Sequence, residues 1–271
     1  MCGQRDQQVA KRLAIIYDRR QLLGNEFFLE SLIEAARNNG LEASVRLAQG
    51  ANLEGSLAGF DAAIIRSRSV TLRLTISVSG IPLVINSPLL ALVGNDKLAQ
   101  DRFLWRNGIP RIPCVRRVCP RGDYVVKPRF GHGGAGVRRL RDSPGGLAGL
   151  DSFVLQPFMP DADHDIRTWV IGDEQVASVD RFSERDFRAN LSLGASVAEV
   201  DLPLQARSLV KRLIELLGPG YYGVDLIRGS EGYLVSEIED LVGSRSLYML
   251  GIADPADRLM RWIRGRDYRF W

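Results

Sequence analysis

The sequence predicts an α/β protein in two parts, a small α/β domain over residues 1–94 and an α+β domain over residues 95–271. Two observations predict this. The chain of 271 residues exceeds what one small core needs, since soluble domains cluster at roughly 100–200 residues. Short β-branched apolar runs alternate with helix-period segments near the start, whereas later runs come as pairs around glycine turns.

The first domain opens with Leu13-Ala14-Ile15-Ile16-Tyr17, an apolar run short enough to be a buried strand. Phe28, Leu29, Leu32, Ile33 and Ala36 then recur at helical spacing and stop at Asn38-Asn39-Gly40. Two more buried strands are expected at Ala62–Ile65 and Pro82–Ile85, joined by a crossover segment. The second domain begins with a helix that Asn95 is expected to cap and that Gly108 and Pro110 stop.

Tyr124-Val125-Val126 then reads as a strand entering the loop from Lys127 to Gly136, with Val137–Leu140 returning beside it. Further strands are expected at Phe153–Gln156, Thr168–Ile171 and Gln175–Val179. Ala206, Leu209, Val210, Leu213, Leu216 and Leu217 form a helical stripe, followed by a hairpin of Tyr222–Ile227 with Tyr233–Ile238. A helix after Asp254-Pro255 closes the chain, and both Trp105 and Trp169 are expected in the core.

Composition excludes several classes. Apolar residues make up 45% and charged residues 25%, which is globular composition. The net charge of +4 comes from 36 basic and 32 acidic residues, and the arginine pairs are scattered. A nucleic-acid surface needs a coherent basic stripe with aromatic platforms, so nucleic acid is not an expected partner. Cys2, Cys114 and Cys119, with only two histidines, match no zinc spacing and read as reduced thiols. The polar first twelve residues, and the lack of any apolar run near the ~18 residues of a membrane span, point to the cytoplasm and to no membrane partner.

Two constellations carry chemistry. Glu237 and Glu239, two apart on a strand, share a face, and an odd-numbered loop register would set Asp225 nearly opposite Glu237. Close carboxylates repel by about 4 kcal/mol per pair at 4 Å and an effective dielectric near 20. A hard divalent cation with oxygen ligands, such as Mg²⁺, relieves that repulsion; the alternative is an acidic, solvated strand end. The second constellation is Lys127 before Gly131-His132-Gly133-Gly134-Ala135-Gly136, whose glycines let backbone donors approach a polyphosphate. The string also satisfies the dinucleotide pattern, but Val137-Arg138-Arg139-Leu140 and then Pro144-Gly145-Gly146 follow where that pattern needs a helix.

Taken together, these features resemble the ATP-grasp superfamily and, within it, the RimK-like amino-acid ligases. The resemblance runs from Ala63-Ile64-Ile65-Arg66 and Val84-Ile85-Asn86-Ser87-Pro88 through Asn95-Asp96-Lys97 and Gly108-Ile109-Pro110 to about Trp262. Its most specific stretch is Phe153–Met159, Asp165-Ile166-Arg167, Arg181 and Phe187-Arg188-Ala189-Asn190-Leu191. The resemblance implies an ATP-grasp fold preceded by a pre-ATP-grasp domain, with a nucleotide-covering lobe over 95–153 and a metal-binding lobe over 154–271.

It implies ATP and Mg²⁺ as cofactors, with Mn²⁺ as a substitute. Gln156, Pro157 and Phe158 would hold adenine, Asp165 would lie at the ribose, and Lys97 and Lys127 would hold phosphates with the Gly133-Gly134 loop over them. Arg188 and Asn190 would reach the phosphate end, and Asp225, Glu237 and Glu239 would bind metal. Arg181 and Arg245 would act in catalysis and, with Arg66, contact substrate. The implied activity is ADP-forming carboxylate-amine ligation through an acyl phosphate. Partners would be small-molecule or peptide acids and amines, or a carrier protein, and a homo-oligomer is compatible with the likeness. A non-catalytic ATP-binding relative is the alternative.

The chain departs from the family pattern at three places. Glu239 stands where the family has asparagine, and Arg245 is the cation expected to offset it. Leu193 replaces an arginine, and Pro157 replaces the hinge glutamate.

Overall fold

The computed structural model describes residues 11–50, 52–115, 119, 121–141, 151–160, 164–184, 187, 188 and 194–266. Its contacts divide the chain into two compact units, Met1–Ile85 with Pro255–Trp271, and Asn86–Asp254.

In the first unit, β1 (Arg12–Asp18) leads through α1 (Arg19–Leu22) and α2 (Glu26–Asn38) to β2 (Glu42–Gln49) and β3 (Asn52–Leu53). There follow β4 (Ala62–Arg66), α3 (Val70–Ser77) and β5 (Leu83–Ile85). The strand order is β3-β2-β1-β4-β5, parallel except for β3. Leu13–Tyr17 and Ala62–Arg66 are buried throughout, as strands of a parallel sheet covered on both faces must be. β2 was not foreseen, because Glu42, Arg46 and Gln49 interrupt its apolar pattern.

The second unit opens with α4 (Pro88–Asn95), capped by the Ser87 hydroxyl on the Leu90 amide, and α5 (Lys97–Arg106). Asn95 does not cap α5. It ends α4 and donates to Ala91 and Asp240, and the Asp96 carboxylate accepts the Leu98 and Ala99 amides instead. A carboxylate is the stronger acceptor at a helix N-terminus. β6 (Asp123–Pro128), β7 (Arg138–Arg141) and β8 (Phe153–Pro157) form a three-stranded sheet in the order β7-β6-β8.

A five-stranded antiparallel sheet follows, in the order β11-β10-β9-β12-β13. Its strands are β9 (His164–Gly172), β10 (Glu174–Phe182), β11 (Ser196–Glu199), β12 (Gly220–Gly229) and β13 (Gly232–Glu239). Between β11 and β12 lies α6 (Leu204–Leu217). Its stripe of Ala206, Val210, Leu213 and Leu217 shares a core with Val170, Tyr222, Val224, Leu226, Val235 and Ile238. Since strand side chains alternate, the opposite face of this sheet receives Arg167 from β9 and Asp225 from β12, and on β13 Glu237 and Glu239 flank the core residue Ile238 and so join them.

After α7 (Arg245–Leu250), the last helix α8 (Pro255–Gly265) packs on α2 in the first unit. This helix therefore belongs to the first unit and not, as its sequence position suggests, to a domain over residues 95–271. Trp169 is fully buried, but Trp105 is 66% exposed on α5, contrary to expectation; the buried residues of that helix are Gln100 and Leu104. No helix among the described residues is long and apolar enough to cross a membrane.

Candidate active site

A cavity in the second unit brings most of the expected residues together. It is lined from α5 by Lys97, from β6 by Lys127, from β8 by Gln156 and Pro157, and from the larger sheet by Asp165, Arg181, Asp225 and Glu237. Gly131, His132, Gly134 and Arg188 complete that side, and Gly133 sits within the same loop at φ 62°. Phe158 is not among the lining residues. Its ring lies beneath the Arg139 guanidinium at 3.3 Å and edge-on to Phe187.

Pro157 lacks an N–H, which β8 tolerates because it is an edge strand. The neighbouring Gln156 donates to the Ile112 carbonyl at 3.0 Å, and its Oε1 is buried without a partner among the described residues. Asn190 and Leu193 lie outside the described residues. Arg245 is exposed at the first position of α7. Arg66 ends β4 in the first unit, buried, with its guanidinium 5.1 Å from the Phe28 ring centre.

The three carboxylates converge. Each of Asp225, Glu237 and Glu239 presents an oxygen, and these atoms lie within 4.8 Å of one another. Asp225 does pair with Glu237, but the loop is not the reason. Gly229 pairs with Gly232 around a two-residue turn, a register that would set Asp225 opposite Ser236. A bulge between Leu226–Val235 and Asp225–Glu237 adds one residue and moves Asp225 opposite Glu237.

Cations of the protein neutralise the cluster. Arg167 grips Asp225 with two 2.7 Å hydrogen bonds and reaches Glu239 at 2.8 Å. Arg181 bridges Asp165 and Asp225, and Lys97 pairs with Glu237 at 2.8 Å. Glu239 therefore takes its countercharge from Arg167 and not from Arg245. Arg167 had been given no role, although its place two residues after Asp165 puts both on one face of β9.

The balance of burial and charge sets protonation. Burial pushes the Asp225 carboxyl up, but Arg167 and Arg181 outweigh it and hold it at about 2. Burial opposes ionisation of Glu237 too, and Lys97 and Lys127 keep it below the usual range. Glu239 is raised, chiefly by burial. Burial lowers Lys127 against the pull of Glu237.

On the glycine loop, Lys97 also donates to the Gly131 carbonyl, and Arg188 donates to that of Gly134 at 3.0 Å. The donor set fits a hard divalent ion: three convergent oxygens with no sulfur or imidazole among them. Lys97, Lys127 and Arg188 beside a loop of glycines fit a polyphosphate.

Asp225 and Glu237 thus share one cavity with Lys97, Lys127 and the glycine loop, and the family model for a RimK-like ATP-grasp domain matches residues 123–263, just over half of the chain. The protein belongs to the RimK-like ATP-grasp family. It is 26% identical over 255 residues to the uncharacterized protein MG011 of Mycoplasma genitalium, covering 89% of this chain and 88% of that one. A probable alpha-L-glutamate ligase of Xanthomonas axonopodis pv. citri is 38% identical over 129 residues, 44% of each chain. The crystal structure of a RimK domain ATP-grasp protein from Sphaerobacter thermophilus superposes with a TM-score of 0.66 at 24% identity, over 94% of this chain and 100% of that one. That likeness concerns the fold.

Proposed function

We propose that the protein is an ADP-forming ligase that joins a carboxylate to an amine. The observation that carries this is the convergence of Asp225, Glu237 and Glu239, the first two of which line one cavity with Lys97 and Lys127. Mg²⁺, or Mn²⁺ in its place, would be held by those carboxylates and would supply charge neutralisation at the phosphates of ATP.

Lys97, Lys127, Arg188 and Asn190 bind the triphosphate and cancel its repulsion toward the incoming carboxylate. A carboxylate oxygen attacks the γ-phosphorus, the bond to ADP breaks, and an acyl phosphate forms. The amine nitrogen then attacks the acyl carbon, loses a proton and expels phosphate. Arg181, which lines the cavity, stabilises the oxyanion, and Arg245 and Arg66 are assigned to substrate. Gln156, Pro157 and Phe158 form the adenine hinge and Asp165 the ribose side, with Gly133-Gly134 excluding water.

The substrates proposed are an amino acid, with glutamate first because a relative is named a glutamate ligase, and a second amino acid, peptide or protein terminus. A cytoplasmic setting is part of this reading. A second reading, ATP binding without turnover, is favoured by the ion pairs that already occupy Asp225 and Glu239. Screening ADP release over pairs of amino acids, with mass detection of the product, separates the two. Ligation predicts release that needs both an acid and an amine and that Glu237→Ala abolishes. Nucleotide binding with no product from any pair favours the second reading.

A further inference from the structure

Strict alternation along β13 would put Glu237 and Glu239 on the same face as Val235, which is buried in the α6 core. The bulge at Ser236 reverses this. Val235 and Ile238 face the core, while Ser236 and Glu237 line the cavity. A bulge on an edge strand has a competing register one residue away, so something must hold it.

Two fixings flank it. Before the bulge, the Val235 amide donates to the Pro110 carbonyl at 2.9 Å and its carbonyl accepts the Ile112 amide. After it, the Ile238 amide donates to the Gln100 side-chain oxygen at 2.7 Å. Gln100 is buried, and it lies three residues after Lys97 on α5, so the two share a helix face. One turn of α5 thus grips β13 twice, Lys97 at the Glu237 carboxylate and Gln100 at the next backbone amide.

We infer that Gln100 is a positioning residue for the divalent-cation site: acting through the Ile238 amide, it holds the β13 register in which Glu237 faces the cavity and Glu239 joins it and Asp225 in the carboxylate cluster. This rests on the cation reading proposed above. Without the Gln100 oxygen, the Ile238 amide is a buried donor lacking its acceptor, and the regular register loses its main competitor. The Lys97 ion pair then has no fixed strand to meet.

The test uses the full chain, with Mn²⁺ titrated by electron paramagnetic resonance in the presence of a non-hydrolysable ATP analogue. Gln100→Leu is expected to weaken Mn²⁺ binding by about tenfold, the usual scale for supports behind metal ligands. Metal-free nucleotide binding should hold within about twofold, and Gln100→Glu, which keeps the accepting oxygen, should restore the cation. Equal Mn²⁺ affinity in wild type and Gln100→Leu, equal loss of cation and metal-free nucleotide binding, or no rescue by Gln100→Glu overturns the inference. A wild-type protein that binds no Mn²⁺ sinks the cation reading itself. Hydrogen exchange of the wild type covers a variant that does not fold: the Ile238 amide is expected to be protected, and rapid exchange there overturns the role of Gln100 without reference to any metal.

Discussion

Arg167 holds Asp225 as a planar fork, its Nε and Nη2 each 2.7 Å from one carboxylate oxygen, because the register of β9 with β12 sets the two residues directly opposite. Asp225 is buried and the Arg167 side chain largely so, which leaves either charge little water to fall back on. Arg167→Ala is expected to destabilise the protein by about 3–5 kcal/mol, the scale for removing one partner of a buried ion pair. Denaturant unfolding checks this, and Arg167→Lys, which loses the two-pronged geometry, should fall between wild type and alanine. An alanine variant as stable as the wild type would mean that water replaces the guanidinium.

By the resemblance to RimK-like ligases, Glu239 stands where asparagine is usual. Glu239→Asn keeps an acceptor within reach of Arg167 but removes a charge from the carboxylate cluster. Divalent-cation affinity should drop by roughly tenfold, since ligand charge tunes such sites, and calorimetric Mn²⁺ titration reads the change directly. Unchanged affinity would show that Glu239 serves Arg167 alone.

Gly94 presses α4 against the residue after Glu239. A Cβ there would lie 2.6 Å from the Asp240 backbone nitrogen, and fully buried Asp240 is held by Asn86 and Asn95. Gly94→Ala should therefore cost about 1–3 kcal/mol through overpacking, despite the better helix propensity of alanine. A thermal midpoint at or above that of wild type would contradict the contact.

How much of this was legible beforehand depended on how local each determinant is. The buried strands Leu13–Tyr17 and Ala62–Ile65 announced themselves by apolar runs, and the α6 stripe by its period. The pairing of Asp225 with Glu237 was anticipated, but its cause was not. The turn gives the wrong parity and a bulge corrects it, and a bulge held by Gln100 from a distant helix leaves no local trace. Arg167 was missed for a related reason, because its partners lie on β12 and β13, not on its own strand. Trp105 misled because bulk predicts burial only on a covered face.

The carboxylate of Asp96 caps α5 and binds Arg129 through both oxygens. Burial would raise its pKa, but Arg129 and the Ala99 and Leu98 amides lower it below the ordinary 3.8. A depressed carboxylate stabilises the fold fully above its unfolded value and ceases to do so as pH falls through its folded one. The stability gap between wild type and Asp96→Asn should thus be constant near neutrality and close as pH falls below about 4. Urea midpoints across that range check it, and a gap that widens in acid would reverse the sign.

Cys114 and Cys119 should differ sharply toward alkylating reagents. Burial, with Asp101 nearby, pushes the Cys114 thiol up to about 12, whereas Cys119 is exposed. Only the thiolate reacts. Peptide mapping after brief iodoacetamide treatment at neutral pH should find Cys119 modified well before Cys114, and the opposite order would refute the burial of Cys114.

The pairing of α2 with α8 has a consequence for biosynthesis. Asn39 and Asp257 meet at 3.0 Å across 218 residues of chain, so α2 waits after its synthesis for a helix made 218 residues later. At roughly 5–20 residues per second that wait is on the order of 10–40 s. The nascent α2 keeps part of its apolar surface uncovered throughout, and its unit is completed only after residues 86–254 have been made.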